Sequence, residues 1–176
     1  MNTKNSQLHL AGTSYCASFN VRKTARTITS LYDTALGRGG LGAASFALLV
    51  AVAKSEPVAM GVLAKTLALD PTTMTRNLYR MQQRGLLTIS ARSLRRQRFV
   101  TLLPAGRRAL EDCLPFWRRV QRKVVKRIGL NRWKQFLAEL GRLSNVATEL
   151  ELSVRKEREP RREVKFPALG KCAHAK

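Results

Sequence analysis

Arginine without any nearby acidic residue dominates the segment between Pro71 and Leu110. This segment has no aspartate or glutamate, and its nine arginines are Arg76, Arg80, Arg84, Arg92, Arg95, Arg96, Arg98, Arg107 and Arg108. Three of them share the polar face of a helix-like stretch, and four lie between two strand-like runs. A basic helix followed by a basic hairpin is an arrangement that places a helix in the DNA major groove and a hairpin on phosphate or the minor groove.

The basic helix is predicted over residues 71–84. Asp70 is a natural N-cap, Pro71 suits the first helical position because its missing N–H needs no partner there, and Gly85 ends the helix. Apolar residues at i, i+4 and i+7 predict a buried stripe of Met74, Leu78 and Met81. The arc away from this stripe is polar and consists of Thr72, Thr73, Arg76, Asn77, Arg80 and Arg84.

Periodicity along the rest of the chain predicts a mainly α fold with a small β wing. An arm is expected over residues 1–14 and a basic, disordered tail over 153–176. Further helices are expected at about 15–36, 43–54, 60–67, 105–128 and 131–152, and strands at 86–90 and 99–103 around the loop 91–98. The helix at 43–54 should be buried, and the helix at 60–67 should face inward with Val62, Leu63 and Leu67. The arrangement is a winged helix-turn-helix at about 43–103 with further helices on both sides.

The global composition agrees with a polyanion-binding protein that folds. The net charge is +22 with a pI near 11.4, while 44% of the residues are apolar. Three widely separated cysteines provide neither metal-ligand spacing nor a disulfide framework, so no metal and no cofactor are expected. The polar start lacks a signal core, and the longest apolar stretch is too short for a membrane span. The expected location is a reducing cytoplasm.

Over about residues 15–150 the chain resembles the MarR family of bacterial transcription regulators. The resemblance is carried by residues 19–33, from Phe19-Asn20-Val21 to Leu31-Tyr32-Asp33, by 67–78 around Asp70-Pro71-Thr72, by Arg84-Gly85-Leu86-Leu87, and by 100–107, which ends in Ala105-Gly106-Arg107. It implies a single domain over 15–152, and a homodimer formed by helices 15–36 and 105–152 that reads a palindromic DNA site. It also implies a repressor that is released by a small aromatic or anionic effector, and that acts in the bacterial cytoplasm, on the nucleoid when DNA is bound.

The resemblance further implies which residues contact DNA. The major-groove set consists of Thr72, Thr73, Thr75, Arg76, Asn77 and Arg80, and the wing set consists of Arg92, Arg95, Arg96 and Arg98. The family's Asp-x-Arg wing motif places its arginine on Arg96, but Leu94 stands at the aspartate position. Leu103, followed by Pro104, likewise replaces the threonine that caps the next helix in the family.

One branch of the family senses organic hydroperoxides through a cysteine in the first helix. The corresponding position here is Ser18, two residues from Cys16, which turns a helix by about 200°. A redox role for Cys16 is therefore the less favoured reading against an ordinary thiol. Cys113 is expected to be packed within the long helix that follows the wing.

Several alternatives stay open on sequence alone. The arginines could form a solvated face, although the acids that usually alternate with them are missing. Trp117, Trp133 and Phe136 could line a ligand pocket or simply pack in the core. The tail could add DNA affinity or only solubility. The main alternative function is a nonspecific or architectural nucleic-acid-binding protein. An enzyme is not expected, because both histidines lie near the chain ends and no acid pair or phosphate loop is found.

Overall fold

The computed structural model describes residues 13–92 and 97–158, except for the side chains of Arg92 and Arg158. The helices in this part of the chain are α1 (Ala17–Leu36), α2 (Ala43–Ser55), α3 (Met60–Thr66), α4 (Pro71–Gln83), α5 (Pro104–Ile128) and α6 (Leu130–Arg158). The strands are β1 (Val58–Ala59), β2 (Leu87–Arg92) and β3 (Gln97–Leu102). The chain divides into two compact units, with the boundary after Val124. The prediction of a mainly α fold with a small β wing is confirmed.

The two ends of the described chain are more regular than expected. Residues Thr13–Tyr15 form a 3-10 turn, so part of the predicted arm has regular structure. Residues 153–158, assigned to the tail from the sequence, continue α6. A hydrogen bond of 2.6 Å from Arg155 Nη2 to Glu151 Oε1, at i and i+4, supports this last turn. Residues 1–12 and 159–176 lie outside the described residues.

The core of the first unit gathers around α2. This helix is apolar on most sides, and four of its side chains are buried: Phe46, Leu48, Leu49 and Val52. The Met74, Leu78 and Met81 stripe of α4 joins the same cluster, as predicted. In α3 the prediction that Val62 faces inward is wrong, since its side chain is 52% exposed. Leu63, with Met60, Ala64 and Leu67 at helical spacing around it, packs on the core instead.

The wing is the β2–β3 hairpin of a three-stranded antiparallel sheet in the order β1-β3-β2. Its register pairs Leu87 with Leu102 and Arg92 with Gln97, so both strands extend into the predicted loop 91–98. The two-residue strand β1 pairs with β3 and was not predicted. Through β1 the hairpin is attached to the segment between α2 and α3, which ties the wing to the helix-turn-helix.

The junction between the wing and α5 is tightly packed. An added Cβ at Gly106 would lie 2.0 Å from the carbonyl oxygen of Leu86, so only glycine fits there. One oxygen of the Glu56 carboxylate accepts a hydrogen bond from the Leu102 N–H at 2.7 Å, and the other is paired with Arg107 in the first turn of α5. These contacts, rather than a capping threonine, join β3 and α5 to the end of α2.

Helices α1 and α6 carry apolar side chains that the single chain leaves exposed. On α6 the large ones are Leu130, Phe136, Leu137, Leu140, Leu143, Val146, Leu150, Leu152 and Val154. Within residues 13–92 and 97–158 no single helix is long and apolar enough to cross a membrane. The bent pair Ala17–Gly39 and Ala43–Ser55 is long and apolar enough when its two segments are taken together, by length and composition alone.

Candidate nucleic-acid interface

Helix α4 has the capped start that the sequence predicts. Asp70 Oδ1 accepts a hydrogen bond from the Thr73 N–H at 2.9 Å, and Pro71 follows as the first helical residue. Hydrogen bonds from the Thr73 side chain and backbone hold the pKa of Asp70 below its usual value, so the carboxylate stays charged beside the positive end of the helix. The cap fixes where the helix begins and hence which side chains its first turn exposes.

The face of α4 opposite the core is polar and basic. Because successive residues are rotated by about 100°, Thr72 and Arg76 point roughly away from the buried stripe, and both are exposed. Gln83 lies on the same arc and is also exposed, although the predicted contact set did not include it. Since α4 contains no acidic residue, a polyanion can approach this face without local repulsion from the helix itself.

The other predicted major-groove residues lie on the flanks of α4. Thr73, Thr75 and Asn77 are half-buried, while Arg80 is exposed. The Thr75 hydroxyl donates to the Pro71 carbonyl at 2.7 Å, and Thr73 serves the N-cap. Both threonines therefore already have hydrogen-bond partners within or at the start of α4. Asn77 lies beside α2 rather than at the centre of the exposed face.

The predicted wing residues lie partly within strands. Arg92 ends β2, and Arg98 lies in β3 opposite Ala91. Arg95 and Arg96 are outside the described residues. The guanidinium of Arg98 donates a hydrogen bond of 2.8 Å to the Tyr79 hydroxyl on α4. Tyr79, which was not predicted as a site residue, is 44% exposed and connects the candidate reading helix to the wing.

Two further arginines of the basic segment have partners elsewhere in the first unit. Arg84 Nη2 donates to the Gly40 carbonyl at 3.2 Å, immediately before α2. Arg107 is paired with Glu56, which supplies an acid that the segment itself lacks. The basic segment is therefore not uniformly available to a ligand. Arg76, Arg80 and Arg108 are its exposed members for which the structure gives no such partner within residues 13–92 and 97–158.

The two cysteines of the described chain lie in contrasting surroundings. Cys16 is exposed and precedes α1 as its N-cap residue, instead of lying within the helix as expected. Cys113 is fully buried, as predicted, and its Sγ lies 3.2 Å from the Gly39 carbonyl oxygen. Burial raises the pKa of the Cys113 thiol, which keeps it protonated.

The three aromatic residues considered for a ligand pocket separate into two places. Trp117 stacks on Phe46 at 6.2 Å between ring centroids and packs against the core. Trp133 and Phe136 contact each other within α6 at 5.9 Å. A cavity of about 300 Å³ lies instead between α1 and α5, where Phe116 is its aromatic residue.

No group of three His, Cys, Asp or Glu side chains that could hold a metal ion exists within residues 13–92 and 97–158. The exposed side chains of α4, Thr72, Arg76 and Arg80 among them, supply hydrogen-bond donors and positive charge. These are the groups that bind phosphate oxygens and the acceptor edges of bases.

Solved structures of transcriptional regulators share this fold. MosR of M. tuberculosis, crystallised in complex with DNA, is 33% identical over 75% of this chain and 98% of that chain, with a TM-score of 0.67. A probable transcriptional regulator from Pseudomonas aeruginosa is 28% identical over 72% of this chain and 96% of that chain, with a TM-score of 0.65. PcaV from Streptomyces coelicolor, crystallised with its natural ligand, shares the fold at 16% identity, over 76% and 95% of the two chains, with a TM-score of 0.69.

No protein-family model and no curated protein sequence matches the chain. The capped helix, the antiparallel hairpin and the flanking long helices define a winged helix-turn-helix protein of the DNA-binding regulator class. The chain belongs to the MarR family of winged-helix transcriptional regulators.

Proposed function

We propose that this protein is a homodimeric, sequence-specific transcription regulator that represses from a palindromic operator. The observation that carries the proposal is the exposed, acid-free face of α4, whose N-cap fixes Thr72 and Arg76 at its centre. Arg76 is the residue expected to contact base edges, because a guanidinium pairs with guanine O6 and N7 in the major groove. The wing arginines Arg92, Arg95 and Arg96 are expected to contact phosphate or the minor groove. The protein would act in the cytoplasm, on the nucleoid.

The exposed apolar residues of α6 support a second copy of the chain as partner. Trp133, Phe136, Leu140, Leu143, Ala147, Leu150 and Val154 alternate at spacings of three and four, which is the pattern of a helix that packs along another helix. A dimer would bury these side chains and present two copies of α4 to two half-sites. Sedimentation at micromolar concentration should give twice the chain mass of 19.7 kDa. A monomer would overturn the two-half-site arrangement.

Selection of bound fragments from random DNA tests whether the protein reads a palindromic operator. An inverted repeat with half-sites about one helical turn apart is expected from a dimer that presents two reading helices. Enrichment without any shared sequence would favour the alternative of an architectural, nonspecific nucleic-acid-binding protein. The net charge of +22, larger than site recognition requires, is the observation that favours this alternative. The ratio of specific to nonspecific affinity at fixed salt discriminates between them.

An effector site is proposed at the cavity between α1 and α5. Leu31, Phe116 and Val120 give it an apolar wall, and Arg38, Arg119 and Lys123 give it positive charge. A small aromatic acid matches both features, and the fold neighbour PcaV was crystallised with a natural ligand.

A thermal-shift screen of aromatic carboxylates, followed by DNA-release assays, tests this site. Compounds that stabilise the wild type should lose their effect in Arg119→Gln. They should keep it in Arg122→Gln, which removes an equal charge from α5 outside the cavity. A screen in which no compound stabilises the protein or releases DNA would remove the liganded switch from the proposal.

A further inference from the structure

A second cleft lies between α2 and α4, on the flank of the proposed reading helix. It has a volume of about 170 Å³, and its floor is formed by the buried side chains of Leu48 and Met81. Ser45 from α2 and Asn77, Arg80 and Arg84 from α4 supply its polar wall. No carboxylate lines the cleft, so its chemistry is that of a site for an anion.

The spacing of the α4 residues explains why they share this flank. Asn77, Arg80 and Arg84 are three and four residues apart, so they form one row along the helix. At about 100° per residue the row is turned away from Arg76 toward α2. The Arg84 side chain is held in place by its 3.2 Å hydrogen bond to the Gly40 carbonyl. A guanidinium has five N–H donors, so this bond leaves others for a ligand.

The N-terminus of α2 borders the cleft. Gly42, its N-cap, has no side chain to accept from the first-turn amides. Asp33 Oδ1 accepts from the Ala43 N–H at 2.7 Å, which uses one of them. The next two residues, Ala44 and Ser45, line the cleft at the positive end of the helix dipole. Asp33 itself is not among the lining residues.

We infer that this cleft seats one phosphate of the DNA backbone beside the bases that α4 reads. The inference rests on the proposed function and divides the polar residues of α4 between two tasks. Thr72 and Arg76, at the centre of the exposed face, contact bases. Asn77 and Arg80, which the family resemblance assigns to the major groove, act with Arg84 and Ser45 on the backbone. Such a contact fixes the depth and register of the helix without reading sequence.

The first test compares Arg84→Gln with wild type on operator and random DNA across a salt series. Loss of one phosphate contact should lower the slope of log affinity against log salt by about 0.9, which is roughly tenfold in affinity at 0.1 M salt. The loss should be equal on both DNAs. Arg122→Gln, an exposed arginine of α5 outside the cleft, is the matched control and should leave the slope unchanged. Equal slopes for Arg84→Gln and Arg122→Gln would overturn the inference.

Ser45→Asp is a second variant, and it is expected to fold like the wild type. An acid in the first turn of α2 interacts favourably with the helix dipole and with Arg80 and Arg84, and this offsets its repulsion by Asp33, so the melting temperature should stay close to that of the wild type. The same charge repels a phosphate, so DNA affinity should fall at least tenfold. Unchanged DNA affinity in Ser45→Asp would contradict the inference irrespective of how Arg84→Gln folds.

Neutral methylphosphonates placed singly along the operator identify the source of the phosphate. At one position in each half-site the methylphosphonate should weaken DNA binding by the wild type but not DNA binding by Arg84→Gln. Inorganic phosphate should compete with DNA no better than chloride at equal ionic strength. Strong competition by phosphate that Arg84→Gln abolishes would assign the cleft to a free anion and overturn the DNA assignment. Failure of the proposed function would give a different result: the wild type would select no common sequence from random DNA. The salt slope of Arg84→Gln on random DNA would still test the cleft in that case.

Discussion

Substitution of Gly106 by alanine tests how tightly the wing is joined to α5. The new Cβ would lie 2.0 Å from the Leu86 carbonyl oxygen, more than 1 Å inside an ordinary contact, and the obstructing atom is backbone. That oxygen also accepts a hydrogen bond of 3.1 Å from the Leu103 N–H, so relief of the clash requires the start of β2 to move away from this bond. The substitution therefore strains the connection that positions the hairpin.

The expected magnitude follows from three opposing contributions. Overpacking costs about 1–3 kcal/mol, and loss of the hydrogen bond costs about 1 kcal/mol. Alanine recovers about 0.8–1 kcal/mol of helix propensity over glycine. The net destabilisation is about 2 kcal/mol, which lowers the melting temperature of a chain of this size by about 4–8 °C.

Thermal unfolding followed by circular dichroism, at one protein concentration, measures this effect. Gly141→Ala is the matched control because Gly141 lies inside α6 with no atom within 4 Å of an added Cβ. The control should raise the melting temperature by up to about 4 °C, since alanine favours the helix by about 1 kcal/mol. A Gly106→Ala protein that melts at or above wild type would refute the packing argument.

Three further predictions concern the interface and the exposed thiol. Arg76→Ala should cost about 1–3 kcal/mol on the specific site and far less on random DNA, whereas Arg96→Ala should weaken both DNAs by similar factors and lower the salt slope by about one unit. Equal losses on both DNAs for Arg76→Ala would count against sequence reading by α4. Tyr79→Phe removes the hydrogen bond to Arg98 but no charge, so affinity for the specific site should fall about two- to fivefold while the salt slope stays unchanged. An altered salt slope would contradict the view that Tyr79 acts only by positioning Arg98. Cys16→Ser should leave the response of DNA binding to organic hydroperoxide as it is in wild type, and loss of a peroxide response in this variant would establish the redox role that is disfavoured above.

Local signals in the sequence were sufficient to predict the elements that form the proposed DNA interface. Asp70 and Pro71 set the start of α4, and Gly85, with φ of 68°, follows its end. The Met74, Leu78 and Met81 stripe then fixed which face is buried. Each of these signals acts within a few turns of one helix, so no knowledge of the rest of the chain was needed. The hairpin could be predicted for the same reason, from two β-rich runs around a basic loop.

The hydrophobic pattern of the sequence was not sufficient to predict the shorter elements. The two residues of β1 are too few to show a period of two. In the seven-residue helix α3, apolar residues fit more than one inward face, and the packing of Leu63 selected the one that exposes Val62. The sequence thus determined that a helix lies there but not how it is rotated.

The tertiary structure alone decided which polar residues of the basic segment share a surface. Arg98 is hydrogen-bonded to Tyr79, 19 residues away in the sequence. Arg84 is bonded to Gly40, 44 residues away, and Arg107 to Glu56, 51 residues away. Sequence established that these residues are polar and which helix or strand holds them. Their partners depend on how α2 and the sheet pack on α4, because contacts at such separations follow from burial of the shared apolar core and not from any local preference of the arginines.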